Sequence, residues 1–388
     1  MRAPFDRPRM GEPYLLTPGP LTTSYAVKEA MLTDWGSWDG DFRDLTREVR
    51  DRLIAMTGRE GFECVPMQGS GTYLVEAMLG SLLPRDAKVL VLANGAYGLR
   101  AAKCLAVMGR AHQVIDKGDY LPPRGTEVAK ALAADPMISH VVAIHCETSS
   151  GILNPLLEIS KAVAAAGRKL VVDSMSAFGA VSLDGVVFEA LVSSANKCIE
   201  GVPGFGFVLA PRDVIANAAG NAHSLSLDVH DQWAYMEKTG QWRFTPPTHS
   251  VAAFLEALKA HETEGGVPAR GARYAENRDV LVEGMRELGF ETLLDARWLS
   301  PIITTFFTPA HAAFDFQRFY DILKREGFII YPGKLTVVDS FRIGHIGRMD
   351  AAVMRAVVAA AKTALDEMGV DDASPPQAAL DERAILAA

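Results

Sequence analysis

The chain has 388 residues, of which 49% are hydrophobic and 22% charged, and a formal net charge of -8. That length exceeds one ordinary hydrophobic core and predicts two domains, while the negative balance argues against a general affinity for nucleic acid or anionic membrane surfaces. No apolar run approaches the roughly 20 residues that span a bilayer, Met1–Met10 has no apolar signal core, and Cys64, Cys104, Cys146 and Cys198 lack metal-ligand or disulfide spacing. The expectation is a metal-free cytoplasmic protein.

From Lys88 to about Ala210 short apolar runs alternate with helical patterns, which predicts an α/β fold with a mostly parallel sheet flanked by helices. The expected strands are Val89–Ala93, Val141–His145, Leu170–Asp173, Ala190–Ser193 and Phe205–Ala210; the expected helices include Thr72–Leu83, Gly98–Met108 and Pro155–Ala166. Pro246-Pro247 interrupts the alternation, and a helix from about His249 to Glu262 ends at Gly265-Gly266. Beyond it, amphipathic helices at Ala272–Leu288, Phe314–Glu326 and Ala351–Met368 surround strand-like runs at Ile302–Phe307, Phe328–Tyr331 and Ser340–Ile343. The expected organisation is an N-terminal arm over 1–15, a large domain over 16–268, a smaller α+β domain over 269–370 and a mobile tail over 371–388, the last because Pro375-Pro376 and an Ala-rich end leave little to bury.

Two of these runs carry chemistry. Asp173 ends one strand and Lys197 follows the next, in Ser193-Ser194-Ala195-Asn196-Lys197. A carboxylate for a pyridine nitrogen and an amine for an aldehyde are what a pyridoxal phosphate enzyme needs. Taken alone, Asp173 reads as a turn cap and Lys197 as a solvated charge; the pair is the signal. Gln68-Gly69-Ser70-Gly71-Thr72 opens a helix with free N–H groups and hydroxyls, a phosphate site or else an ordinary N-cap. Tyr97, in Asn94-Gly95-Ala96-Tyr97-Gly98, follows a strand end and could lie on a flat cofactor, and Thr148 follows another and could donate to a phenolate oxygen. His145 reads as structural or at most supporting. Arg342, between Phe341 and Ile343, needs an anion, either a substrate group or a structural carboxylate.

With these segments in order, the chain resembles the class V aminotransferases of fold type I over roughly residues 14–368. The match runs through Leu16-Thr17-Pro18-Gly19-Pro20, Gln68-Gly69-Ser70-Gly71, Ala195-Asn196-Lys197-Cys198, Gly201-Val202-Pro203-Gly204, Trp242-Arg243-Phe244-Thr245, Ile330-Tyr331-Pro332-Gly333-Lys334 and Phe341-Arg342-Ile343-Gly344. The resemblance implies pyridoxal 5'-phosphate as cofactor, Lys197 as its Schiff-base lysine and Asp173 at the pyridinium nitrogen. It further implies Ser70, Gly71, Thr72, Tyr97, Thr148, Met175 and Asn196 around the cofactor, Arg342 on the substrate's acidic end, and Thr245 reaching the cofactor phosphate of a second subunit in a homodimer. The activity it implies takes an amine from a phosphonate donor and passes it to pyruvate, with an alanine–glyoxylate or serine–glyoxylate type of transamination as the alternative. His345 stands where the family pattern has Asn, and Asp34–Phe42 diverges from it.

Overall fold

The structure, a computed structural model, describes residues 12–333 and 338–387. Lys334 of the Ile330–Lys334 motif and the Met1–Met10 stretch lie outside the described residues. Seven strands form the main sheet: β1 (Phe62–Gln68), β2 (Lys88–Ala93), β3 (His112–Asp116), β4 (Ile138–Ile144), β5 (Lys169–Asp173), β6 (Ala190–Ser194) and β7 (Phe205–Pro211). Their order is β1-β7-β6-β5-β4-β2-β3. β7 runs antiparallel to both its neighbours and every other adjacent pair is parallel.

Both faces of this sheet are covered, and alternate residues divide between them. In β2, Leu90 and Leu92 join one apolar cluster while Val89 and Val91 join another; in β5, Leu170 and Val172 separate from Val171 in the same way. Each such buried side chain contributes about 1.5–3 kcal/mol relative to exposure, so the strands carry continuous apolar runs rather than alternation. The two strands missing from the sequence reading, β1 and β3, are the sheet's edges. Pro66 breaks the pattern of β1, where an edge tolerates the lost N–H. β3 is largely exposed and has no apolar run to read.

A three-stranded antiparallel sheet follows, β8 (Ile303–Phe307), β9 (Tyr331–Pro332) and β10 (Ser340–Gly344), in the order β8-β10-β9. Its core is aromatic: the Phe306 and Phe341 rings stack with centroids 5.6 Å apart, and Phe290 meets Phe341 edge-on at 5.6 Å. The expected strand Phe328–Tyr331 is two short pieces, because Phe328–Ile329 pairs in parallel with Tyr14–Leu15 instead. The long helix Gly266–Glu287 starts six residues before the expected Ala272, since Pro268 sits in its first turn where a missing N–H costs nothing. Gly265 and Gly266, with φ of 112° and 70°, turn the chain from the preceding helix Thr248–Glu264 into it.

The tail departs from expectation. Gln377–Ala387 is a helix; Ala379 is buried against the second core, and Arg383 Nη1 donates to the Thr292 carbonyl at 2.7 Å and to Glu291 Oε2 at 3.2 Å. An Ala-rich face suffices for docking because Arg383 also lies over the Phe307 ring, 5.9 Å from its centroid.

Candidate active site

β1, β2, β4, β5 and β6 point the same way, so their carboxyl ends share one edge of the sheet, where open α/β sheets place ligands. A cavity of about 530 Å³ opens there. β1 delivers Ser70, Gly71 and Thr72 to it, β2 delivers Tyr97 and Arg100, β4 Thr148, β5 Asp173 and Met175, and β6 Asn196 and Lys197. The structure thus gathers nine of the residues singled out from sequence.

Asp173 is 5% exposed. Its Oδ1 accepts the Met175 N–H at 3.0 Å, and Oδ2 takes no hydrogen bond among the described residues. Burial pushes the carboxyl up to about 6, against the pull of the Met175 N–H and of the Lys197 and Arg100 charges. Behind it, Ser174 Oγ lies 2.9 Å from His145 Nδ1. His145 faces away from the cavity lining and burial lowers it to about 4, so it is a neutral structural imidazole at pH 7.

Lys197 follows β6 in a tight turn in which the Glu200 N–H bonds the Lys197 carbonyl at 2.8 Å. Its Nζ donates to the carbonyls of Pro18 at 2.5 Å and Gly19 at 3.2 Å. Gly19, with φ 100°, has no room for a side chain, because a Cβ would fall 2.7 Å from Lys197 Cδ and 2.5 Å from the Asn196 carbonyl. The Leu16–Pro20 motif is therefore a backbone floor beneath the amine, a role its sequence did not announce.

Across the cavity, Ser70 is the N-cap of Gly71–Leu82 yet makes no side-chain capping bond, which leaves its hydroxyl and the first-turn N–H groups for an anion. The Thr72 hydroxyl accepts from Arg100 Nη1 at 2.9 Å, and the Arg100 guanidinium sits 4.9 Å from the Tyr97 ring centroid. Arg100 was not singled out from sequence; its only signal was a cation one turn after Tyr97 at the same helix start. Gly71 lets Met175 lie close against the helix start, since a Cβ there would fall 3.1 Å from Met175 Sδ.

Arg342 lies beside the cavity rather than in its lining. Its Nη1 donates to the Thr148 carbonyl at 2.9 Å, its Nε to the Pro332 carbonyl at 3.1 Å, and its guanidinium lies 5.6 Å from the Tyr331 ring centroid. It is bound by carbonyls, with no carboxylate partner among the described residues, so the structural ion-pair reading does not hold. Thr245 is exposed and lies outside the lining. His345 is fully buried, its Nε2 2.9 Å from Thr304 Oγ1, and burial lowers it to about 3; it is not part of the cavity lining.

A family model described as aminotransferase class-V matches residues 74–366. The chain belongs to the class-V aminotransferases. Among relatives of this aminotransferase, a 2-aminoethylphosphonate–pyruvate transaminase from Rhizobium meliloti is 70% identical over 98% of this chain and 100% of its own length. Another so named, from Paraburkholderia xenovorans, is 65% identical over 98% of this chain and 99% of its own. Among solved structures, ureidoglycine–glyoxylate aminotransferase from Bacillus subtilis superposes with a TM-score of 0.85 at 20% identity, covering 97% of this chain and 98% of that one. Pyridoxamine–pyruvate aminotransferase from Mesorhizobium loti gives 0.83 at 23% identity, covering 98% of each chain. These two likenesses establish the fold, a fold-type I α/β architecture.

Pyridoxal 5'-phosphate is the cofactor of this aminotransferase, and the residues present fit it. The helix start with an uncommitted Ser70 suits the phosphate, the buried carboxylate with an open oxygen suits a protonated ring nitrogen, and Lys197 Nζ suits the aldehyde carbon. Met175 against Gly71 and Tyr97 beneath Arg100 give the cavity the flat apolar walls a planar ring requires.

Proposed function

We propose that this aminotransferase moves the amino group of 2-aminoethylphosphonate to pyruvate, giving phosphonoacetaldehyde and L-alanine, in the breakdown of phosphonates. The observation that carries the reading is the 70% identity across 98% of the chain to a relative of that name. Bound pyridoxal 5'-phosphate supplies an electron sink for the pair left behind when a proton leaves the substrate carbon. Lys197 Nζ would hold the cofactor through its aldehyde carbon and, as a neutral amine, would take up and return that proton. Asp173 Oδ2 accepts the proton-bearing ring nitrogen and keeps it protonated. Ser70, Gly71 and Thr72 would bind the phosphate, Tyr97 would cover the ring, Thr148 would donate to its phenolate oxygen, and Met175 and Asn196 would complete the pocket.

Arg342 takes the phosphonate of the donor and then the carboxylate of pyruvate, a pair of anions that one planar fork can serve in turn. We further propose a homodimer in which Thr245 reaches the partner's cofactor phosphate. Its support is that Thr245 is exposed outside its own cavity, while Leu32, Trp38, Tyr73 and Leu225 are apolar yet 58–80% exposed. The domain division at 16–268 and 269–370 is proposed on apolar cores drawn mainly from either side of it, with Leu16, Tyr120 and Ile152 joining the second core from the first span. A cytoplasmic setting agrees with four cysteines free of disulfides; no described helix is long and apolar enough to cross a membrane.

The test is a half-reaction. Purified yellow protein given 2-aminoethylphosphonate without acceptor should lose its visible band and release one equivalent of phosphonoacetaldehyde, and pyruvate should restore the band with alanine formed. A response to serine or alanine with glyoxylate, and none to the phosphonate, would replace the reading with the alternative. Borohydride reduction followed by peptide mapping should place the cofactor on Lys197.

A further inference from the structure

We propose that Glu147 is a positioning residue, a buried carboxylate clamp that fixes Tyr97 and Thr148 at the cofactor and, through Thr148, sets Arg342 at the substrate's anion. The proposal rests on the functional reading above. Glu147 has no exposed surface, and among the described residues it makes no ion pair. A buried carboxylate in that position is costly unless its oxygens are fully bonded. They are: Oε2 accepts the Tyr97 N–H at 2.9 Å and the Gly98 N–H at 3.3 Å, while Oε1 accepts the Ser149 hydroxyl at 2.6 Å and its N–H at 3.1 Å. Burial raises the carboxyl above its ordinary value, and these four donors offset that only in part.

The bonds go to both cofactor-facing loops. Tyr97 and Gly98 form the first turn of the helix Ala96–Val107, whose dipole favours a negative charge at that end. Ser149 closes the other side, and its Oγ also accepts the Ala96 N–H at 3.1 Å. Gly95, with φ 149°, leaves the space, since a Cβ there would fall 2.4 Å from Ser149 Oγ and 2.7 Å from Glu147 Cγ. The carbonyl next along the chain, that of Thr148, is the one that receives Arg342 Nη1. Burial lowers the Arg342 guanidinium, and Glu147 is among the groups that oppose that shift. One carboxylate therefore sets the stacking ring, the hydroxyl beside it and the guanidinium beyond.

A carboxylate gives each pair of donors an accepting oxygen. Glutamine has one such oxygen, so Glu147→Gln turns an N–H₂ toward either the helix start or Ser149 and opens one side of the clamp at constant volume. Leaving buried donors unmatched in this way should raise the dissociation constant of pyridoxal 5'-phosphate, measured by equilibrium dialysis, about 10–100-fold. The visible circular dichroism of the bound cofactor should weaken, and KM for 2-aminoethylphosphonate and for pyruvate should rise together. Ser149→Ala removes one donor and should act in the same direction by about threefold to tenfold; it carries the test should Glu147→Gln not accumulate as folded protein. If the folded variants keep the wild-type dissociation constant, circular dichroism and KM, and show only a lower melting temperature, Glu147 is structural and the proposal fails. Wild-type protein that binds the cofactor but ignores the phosphonate would instead overturn the functional reading, leaving the dialysis result to decide the clamp separately.

Discussion

Asp173→Asn should make the cofactor-free protein more stable and the enzyme nearly inert. Burial lifts the carboxyl from its ordinary 3.8 to about 6. At about 1.36 kcal/mol per pH unit, ionising it in the folded protein then costs about 3 kcal/mol more than in the unfolded chain. The sign follows from proton counting: between about pH 4 and pH 6 the folded state holds a proton the unfolded state has lost, so stability falls as pH rises through that window and stays low above it. Asparagine keeps the acceptor for the Met175 N–H and removes the charge. The midpoint of urea unfolding of cofactor-free protein should therefore be higher for Asp173→Asn at pH 7.5, by an amount corresponding to at most about 3 kcal/mol, and the two proteins should converge toward pH 4. Loss of the charge at the ring nitrogen should meanwhile lower kcat by roughly 100-fold or more. Parallel unfolding curves for the two proteins across that pH range would refute the assignment of a buried, strained charge to Asp173.

Other outcomes follow from the same geometry. Arg342→Lys retains charge but cannot keep bonds to the Thr148 and Pro332 carbonyls while presenting a fork, so KM should rise about 10–100-fold for both phosphonate and pyruvate in steady-state assays. Gly19→Ala places a Cβ against Lys197 Cδ at a positive φ and should cost roughly 1–3 kcal/mol in denaturant unfolding. The same variant should slow borohydride trapping at Lys197. Thr245→Ala should weaken cofactor binding about tenfold in dialysis without moving the unfolding midpoint of the cofactor-free protein; no change in binding would remove Thr245 from the partner's site.

The interior of the molecule was readable and its margins were not. Asp173 and Lys197 stand out because Asp173 closes β5 behind the buried Leu170, Val171 and Val172, and Lys197 lies three residues past the fully buried β6, so each charge sits at the end of a buried run. β1 and β3 escaped because edge strands need not be apolar, and Pro66 actively disguised one of them. The C-terminal helix escaped because its anchor is not local: Arg383 finds Glu291, Thr292 and Phe307 far back in the chain. Arg100 and Glu147 show the same limit within the site. Each is an ordinary charged residue beside a recognised motif, and only the pairing of loops, Arg100 with Thr72 and Glu147 with Tyr97, gives it meaning.

The floor beneath Lys197 has a temporal side. Tyr14–Leu15 pairs with Phe328–Ile329, the Leu16 carbonyl receives the Gly344 N–H, and the Thr22 carbonyl receives the Arg348 N–H, while Pro18 and Gly19 hold the amine. The segment Tyr14–Thr22 is thus stitched to segments made more than 300 residues later. At about 5–20 residues per second, that segment waits on the order of 15–60 s during synthesis for the strand that seats it. A ribosome-bound chain can complete the seven-stranded sheet and its phosphate cup well before Lys197 has a floor, so cofactor capture by the finished site is a late, essentially post-synthetic event.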